Sequence, residues 1–295
     1  MIGALTIDRL PRLSLRERLE LLEIIGHSPK QLAPRNIEEI LKRSYKQTYT
    51  LPSLIEAAAM EAEWLFKHSG GIIAADDQGY PSLLREIYDP PFLLRFRGEV
   101  QAFARPAVSV VGTRHPNGRG ARSAFQIGEE LGRLGISVVS GLALGIDRQA
   151  HAGNASVGAA SVAVLGSGIA EVSPLSSRPT AERLLQAGGT IISEYPVFTP
   201  PARYRFPERN RIIAGLTMRT LIVQAPHRSG ALITADYALD QGREVLVHAD
   251  CMQPGVGDGT RELFENGARA VLHASELLGE VYPDCAWESM RERVS

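Results

Sequence analysis

Apolar positions along this 295-residue chain follow one rhythm up to about residue 70 and another beyond it. Leu15, Leu19, Leu22 and Ile25 recur at helical spacing, and Gly26 can stop the helix they predict. Ile37, Ile40 and Leu41 continue that pattern, and Ser53-Leu54-Ile55-Glu56 opens an alanine-rich helix ending near Phe66. Residues 1–69 therefore read as a small helical domain whose apolar stripes serve packing.

From residue 70 short apolar runs alternate with amphipathic segments. Gly71–Ala74 and Phe92–Gly98 are strand-like, separated by Asp76-Asp77-Gln78-Gly79 and the Asp89-Pro90-Pro91 turn. Further strands are predicted at Ala107–Val111, Ile136–Val139, Ser161–Leu165, Thr190–Ile192, Thr220–Val223, Glu244–Val247 and Ala268–Leu272. Helices are predicted from Gly120 to Leu134 and from Ile146 to Val157. Such β/α alternation predicts an open, mostly parallel sheet with helices on both faces, an α/β class in which ligands sit beyond the carboxyl ends of the strands. That domain is expected over 70–280. Residues 281–295 read as a polar, frayed tail with no room for a further domain.

Composition narrows the function classes only slightly. The chain is 44% hydrophobic and 22% charged, with a net charge of −1, which excludes a bulk polycation but permits a local basic patch. Cys251 and Cys285, its two cysteines, are too few for a disulfide scaffold or a cysteine-rich zinc site and suit a reducing cytoplasm. No run approaches a membrane span, and no secretion signal opens the chain.

The candidate chemistry lies in loops at the predicted strand ends. Phe206-Pro207-Glu208-Arg209-Asn210-Arg211 places two guanidinium forks around an amide, with Arg203 and Arg205 just upstream. An arginine fork matches phosphate geometry, and the Thr199-Pro200-Pro201 connection puts these arginines on a loop or a first helical turn. Gly112-Thr113-Arg114 runs through His115–Gly120 into a helix, a setting for an anion at helix-start amides. It is neither a compact dinucleotide fingerprint nor a Walker loop. His227-Arg228-Ser229-Gly230 offers a second anion cradle. In Ser140-Gly141 through Asp147, with His151 one helical turn later, three roles stay open for the Asp–His pair: a buried structural hydrogen bond, a ligand-facing couple, or part of a metal site. Gly166-Ser167-Gly168 marks another tight backbone approach, and Tyr195 is either a base-stacking ring or a loop anchor. Asp147, His151, Glu194 and Asp236 form no recognisable catalytic set. The chain reads as a binder with no catalytic residues, metal or cofactor.

In this order and spacing the segments resemble the DNA-processing protein A family, also called DprA or Smf, over roughly residues 70–280. The resemblance rests on Tyr80-Pro81 through Asp89-Pro90-Pro91, Val111–Arg114, Ser140–Asp147 with Ala150-His151, and Ala163–Gly168. Ser193–Pro196, Phe206–Leu216 and Arg228–Ala235 complete it. It implies an extended Rossmann-like domain that binds single-stranded DNA, acts as a homodimer and brings incoming strands to RecA during natural transformation or recombination. It implies no catalytic reaction. The helical N-terminal part fits an accessory domain, and the winged-helix-like C-terminal domain of other members is expected to be absent. DNA contacts are expected from Gly112, Arg114, Ser140, Gly141, Arg178, Arg209, Asn210, Arg211, Arg228, Ser229 and Gly230, with Asp147, His151 and Tyr195 structural or ligand-facing.

The chain departs from the family pattern in four places. After Gly168 it reads Ser173-Pro174-Leu175-Ser176-Ser177-Arg178, so a lysine contact usual in the family is either missing here or replaced by Arg178. Gln224 replaces an acidic residue, His248-Ala249-Asp250 a Val-Pro-Gly turn, and Gly259-Thr260-Arg261 a Gly-Ser/Thr-Asn segment. Two rival readings are a nucleotide-processing enzyme related to phosphoribohydrolases, whose Pro-Gly-Gly-x-Gly-Thr loop is missing here, and a nucleotide-sensing regulator.

Overall fold

The computed structural model describes residues 1–26, 28–45 and 50–278; the 281–295 tail expected from the sequence lies outside them. The N-terminal part holds α1 (Ile2–Asp8), α2 (Leu15–Ile25), α3 (Pro34–Leu41) and α4 (Leu51–Lys67). Ser14 starts α2 with a capping box: its hydroxyl accepts from the Glu17 amide, and the Glu17 carboxylate accepts from the Ser14 amide at 2.8 Å. Prolines enter the first turns of α3 and α4, where a missing N–H costs nothing. The short α1 falls below the length at which apolar periodicity is legible.

Then come β1 (Gly70–Ala74), α5 (Ser82–Arg85), β2 (Leu93–Gly98), β3 (Ala107–Val111), α6 (Gly118–Arg133), β4 (Ser137–Ser140), α7 (Ile146–Ser156) and β5 (Val162–Val164). They continue with α8 (Arg178–Gln186), β6 (Thr190–Ser193), α9 (Arg205–Gly215), β7 (Arg219–Ile222), α10 (Gly230–Asp240), β8 (Glu244–His248), α11 (Asp258–Glu265) and β9 (Arg269–Val271). One nine-stranded sheet runs β1-β2-β6-β5-β4-β3-β7-β8-β9. Its β5-β4-β3-β7-β8-β9 core has the doubly wound strand order, and β6 extends it in parallel. β1 and β2 add an antiparallel edge, so the fold is an extended, mostly parallel Rossmann-like sheet.

Alternating strand residues divide the core between the two faces. Val108 and Val110 of β3 pack with Ala124, Ile127 and Leu131 of α6 and with Ile146 and Ala150 of α7. Val111, Ile222 and Val247 turn the other way, toward Ile212 and Ile213 of α9 and Ala235 of α10. Each valine, leucine or isoleucine among them contributes about 1.5–3 kcal/mol on burial, and each alanine less.

The helical N-terminal part docks against β1 and β2 through a shared apolar cluster that includes Leu5, Ile7, Leu21 and Ala58 with Ala74, Phe92 and Leu93. A buried charge network also lies at this junction. Arg95 of β2 is fully buried and donates to Glu61 of α4 at 2.9 Å, to Asp8 of α1 at 2.6 Å and to the Glu194 carbonyl at 2.7 Å. Glu61, equally buried, also takes hydrogen bonds from Arg9 and from the Val197 amide. These bonds tie the helices to the loop after β6, and that loop reaches toward α9.

Candidate functional site

A cleft of about 540 Å3 opens beyond the carboxyl ends of β3 and β7, where the chain order reverses across the sheet. In doubly wound sheets this is where ligands sit. Four segments line it: 111–114 at the end of β3, Ala143 and Asp147 around the start of α7, 226–234 from the loop after β7 into α10, and Arg203 with one side of α9 from Phe206 to Ile213.

Local chemistry explains why the loops lie so close. A Cβ on Gly112 would stand 2.5 Å from Ile146 Cγ1 and 2.8 Å from the Gln224 carbonyl, so only glycine lets β3 leave the sheet beside α7. Gly145 precedes α7 at φ 79, and a Cβ there would strike the Thr113 carbonyl. Asn117 caps α6 by accepting from the Gly120 amide at 2.8 Å, while its own amide donates to the buried Gln224 side chain at 2.9 Å. Gln224 thus braces the β3–α6 loop with a neutral amide where an acidic residue was expected. Ser229 caps α10 through its hydroxyl, and Asn210 Nδ2 donates to the Gly230 carbonyl at 3.2 Å, joining α9 to the α10 start.

Four arginines and one carboxylate line the cleft. Arg114, Arg203 and Arg228 are exposed and form no ion pair among the described residues. The Arg114 guanidinium lies 5.5 Å from the centre of the Phe206 ring, a cation–π arrangement. Arg228 holds φ at 57, uncommon for a residue with a side chain, and thereby sits at the cleft rim just before α10. The fourth, Arg209, is only 4% exposed and forms the floor. It donates to the carbonyls of Gly141, at 3.1 Å, and of Val164. Burial pulls its pKa down to about 10 while Asp147 opposes that, so Arg209 stays cationic at neutral pH. Asp147 accepts from the Gly141 amide at 3.1 Å; burial pushes its carboxyl above the ordinary range and the Arg209 charge works against that shift.

The structure sorts the residues singled out from sequence into three groups. Gly112, Arg114, Asp147, Arg209, Asn210, Arg228, Ser229 and Gly230 converge on the cleft. Ser140 and Gly141 lie directly behind it: Ser140 donates to the Val110 carbonyl at 2.6 Å, and Gly141 packs against the Arg209 guanidinium. Arg211, Arg178 and Tyr195 are outside its lining. Arg211 binds Glu194 through two bonds of 2.8 Å and faces Asp89 at 3.4 Å. Arg178 opens α8 and pairs with Glu182 on the surface. Tyr195 donates to Glu208 at 2.9 Å, and burial pushes its phenol pKa up. Arg209 and Arg211 belong to the body of α9, not to a loop, and two residues apart on a helix they point to different surroundings. Sequence reading left out Phe206 and Arg203 as site residues, although an aromatic between cationic positions in Arg203-Tyr204-Arg205-Phe206 was the available signal.

Asp147 and His151 share a face of α7 but make separate hydrogen bonds. His151 Nδ1 meets Ser161 Oγ at 3.0 Å, and the imidazole is fully buried. Burial pushes the imidazole down to about 3 from 6.5. Above pH 6.5 both folded and unfolded chains carry it neutral. Between there and about 3 only the unfolded chain gains the proton, so stability falls as pH falls. His151→Gln is expected to flatten the dependence of unfolding free energy on pH by up to about 1.4 kcal/mol per unit across pH 6 to 4.5 in urea titrations, with His248 supplying part of the remaining slope. An unchanged slope would show that the folded imidazole accepts a proton readily.

The family model for DNA recombination-mediator protein A matches residues 71–282. The chain belongs to that family. A relative, Protein Smf of Synechocystis, is 40% identical over 213 residues, 71% of this chain and 53% of its own length. The chain thus spans about half of that relative. Among solved structures, DNA processing protein A of Streptococcus pneumoniae superposes with a TM-score of 0.74 at 29% identity, covering 95% of this chain and 98% of its own. DNA processing protein A of Helicobacter pylori, described for its single-stranded DNA binding mode, superposes at 0.62 with 25% identity, covering 70% and 96%. The family match includes β2, β1 from Gly71 onward and the whole cleft but leaves out α1 to α4.

Proposed function

We propose that this chain binds single-stranded DNA in the cleft and serves DNA processing in recombination. The observation that carries the reading is the set of three exposed arginines, Arg114, Arg203 and Arg228, free of ion pairs among the described residues, around a cleft walled by the Phe206 ring. Phosphates would engage the guanidinium forks and the α10 amides, largely without regard to sequence. A base would stack against Phe206 and the Arg114 plane, which a paired duplex cannot offer. Binding rather than catalysis fits the acid and base candidates: Asp147 is bonded to Gly141, Glu194 is bonded to Arg211, and the His151 imidazole faces Ser161 in the core. The proposal extends to two copies acting on one strand in the cytoplasm and passing it to RecA, by analogy with the family.

The test is fluorescence anisotropy with a labelled oligothymidine and a matched duplex at two salt concentrations. Single-strand binding at least about ten-fold tighter than duplex, and weakening as salt rises, is expected. Equal affinity for the two would sink the proposal. Saturable mononucleotide binding that DNA does not displace would favour a nucleotide sensor, and base release from nucleoside monophosphates would favour a phosphoribohydrolase.

A further inference from the structure

We propose a second base-binding subsite for the same single strand, in the groove between the loops that follow β5 and β6; it rests on the cleft reading above. This groove encloses about 340 Å3 and is apolar, walled by Val172, Leu175, Val197, Phe198 and Pro201. Phe198 is 54% exposed and Leu175 63%, and both line this one groove, so they form a contiguous exposed apolar patch. Trp64 of α4 meets the Phe198 ring edge-on at 6.2 Å, which steadies it as a platform.

The occupant is argued from continuity and charge. Cleft and groove both open at the carboxyl edge of the sheet, over β3, β4 and β7 and over β5 and β6 respectively. One segment serves both: Thr199–Pro201 wall the groove, and Arg203 and Phe206 wall the cleft. Pro201 and Arg203 can be no more than about 7 Å apart. Tyr204, next to Arg203, is 59% exposed, and the Arg205 guanidinium lies 5.2 Å from the rings of both Tyr195 and Tyr204. Alternating arginines and aromatic rings are what a single strand uses, the rings taking bases and the cations taking backbone.

Arg178, which the cleft does not use, finds a role here. It follows the Leu175–Ser177 turn that borders the groove, and among the described residues it pairs with Glu182 alone, both side chains more than half exposed. A surface pair of that kind is weak enough for a phosphate to displace. The one carboxylate of the groove is Glu171. Its charge disfavours a phosphate inside, so the strand enters base-first, with its phosphates toward Arg178 and Arg203.

Competition anisotropy with a short oligothymidine of about five nucleotides and a long one of about twenty separates the two sites. Phe198→Ala is expected to weaken the long strand by about ten-fold and the short one, confined to the cleft, by less than about two-fold. Phe198→Trp should retain long-strand affinity, which a variant damaged in folding would not do. Arg203→Ala should weaken both lengths. If Phe198→Ala leaves the long strand unaffected, or weakens both lengths equally, the subsite is overturned and the groove is free for a protein partner. If Arg203→Ala changes neither length, the cleft reading itself fails.

Discussion

Replacing Arg114, Arg203 and Arg228 together by alanine is expected to cut affinity for single-stranded DNA about 100-fold at moderate salt, with little change in stability. Each guanidinium is exposed and free of ion pairs among the described residues, so their loss takes from the fold little beyond the Arg114 cation–π contact with Phe206. Each lost phosphate contact costs on the order of 1 kcal/mol, and three such contacts multiply to about two orders of magnitude. The salt dependence gives a sharper reading. Three lost contacts should reduce the slope of log affinity against log salt by about 2, because each phosphate neutralised on a single strand contributes roughly 0.7. Anisotropy titrations over a salt series measure both quantities. A weaker complex with an unchanged slope would mean that these arginines shape the cleft without touching phosphate.

Arg209→Ala is expected to act on the fold first. Truncation would leave Asp147 buried beside no cation and orphan the Gly141 and Val164 carbonyls. Removing one member of such a buried, hydrogen-bonded set costs about 3–5 kcal/mol. Urea unfolding should show this loss directly, and Arg209→Lys should restore little, since an ammonium cannot reproduce the fork that reaches two carbonyls. A DNA-binding defect in Arg209→Ala therefore reports a damaged cleft floor unless stability is measured beside it. Wild-type stability in this variant would return Arg209 to the role of a phosphate ligand.

The nine strands lie within a residue or so of where the sequence places them, Ala107–Val111 to the residue. A parallel strand covered on both faces must be a short, nearly unbroken apolar run, so local composition carries the signal. α8 and α11 were not foreseen, because each is mostly polar and shows few apolar positions from which to read a period. The glycine loops around Gly112 and Ser229 were legible for a similar reason: a strand leaving the sheet into a helix needs glycine and a capping residue at that point. Arg209 and Arg211 were harder. Both are arginines of one motif, yet one lies beneath the cleft against carbonyls and the other is held by Glu194 and Asp89.

Taken alone, the sequence determined the α/β class, the strand positions, the loops that meet at the strand ends and the family resemblance. All of these depend on short-range patterns of apolar, glycine and capping residues. The tertiary structure decided the rest. It placed β1 and β2 as an antiparallel edge on β6, and it buried Arg95 and Glu61 where the N-terminal helices dock. It also separated exposed arginines from buried ones. An arginine's role depends on the dielectric and the partners around its guanidinium, and those partners come from segments tens of residues away. Arg95 reaches Glu194 across 99 positions and Arg209 reaches Gly141 across 68. Such contacts exist only once the sheet has formed, and no local pattern encodes them.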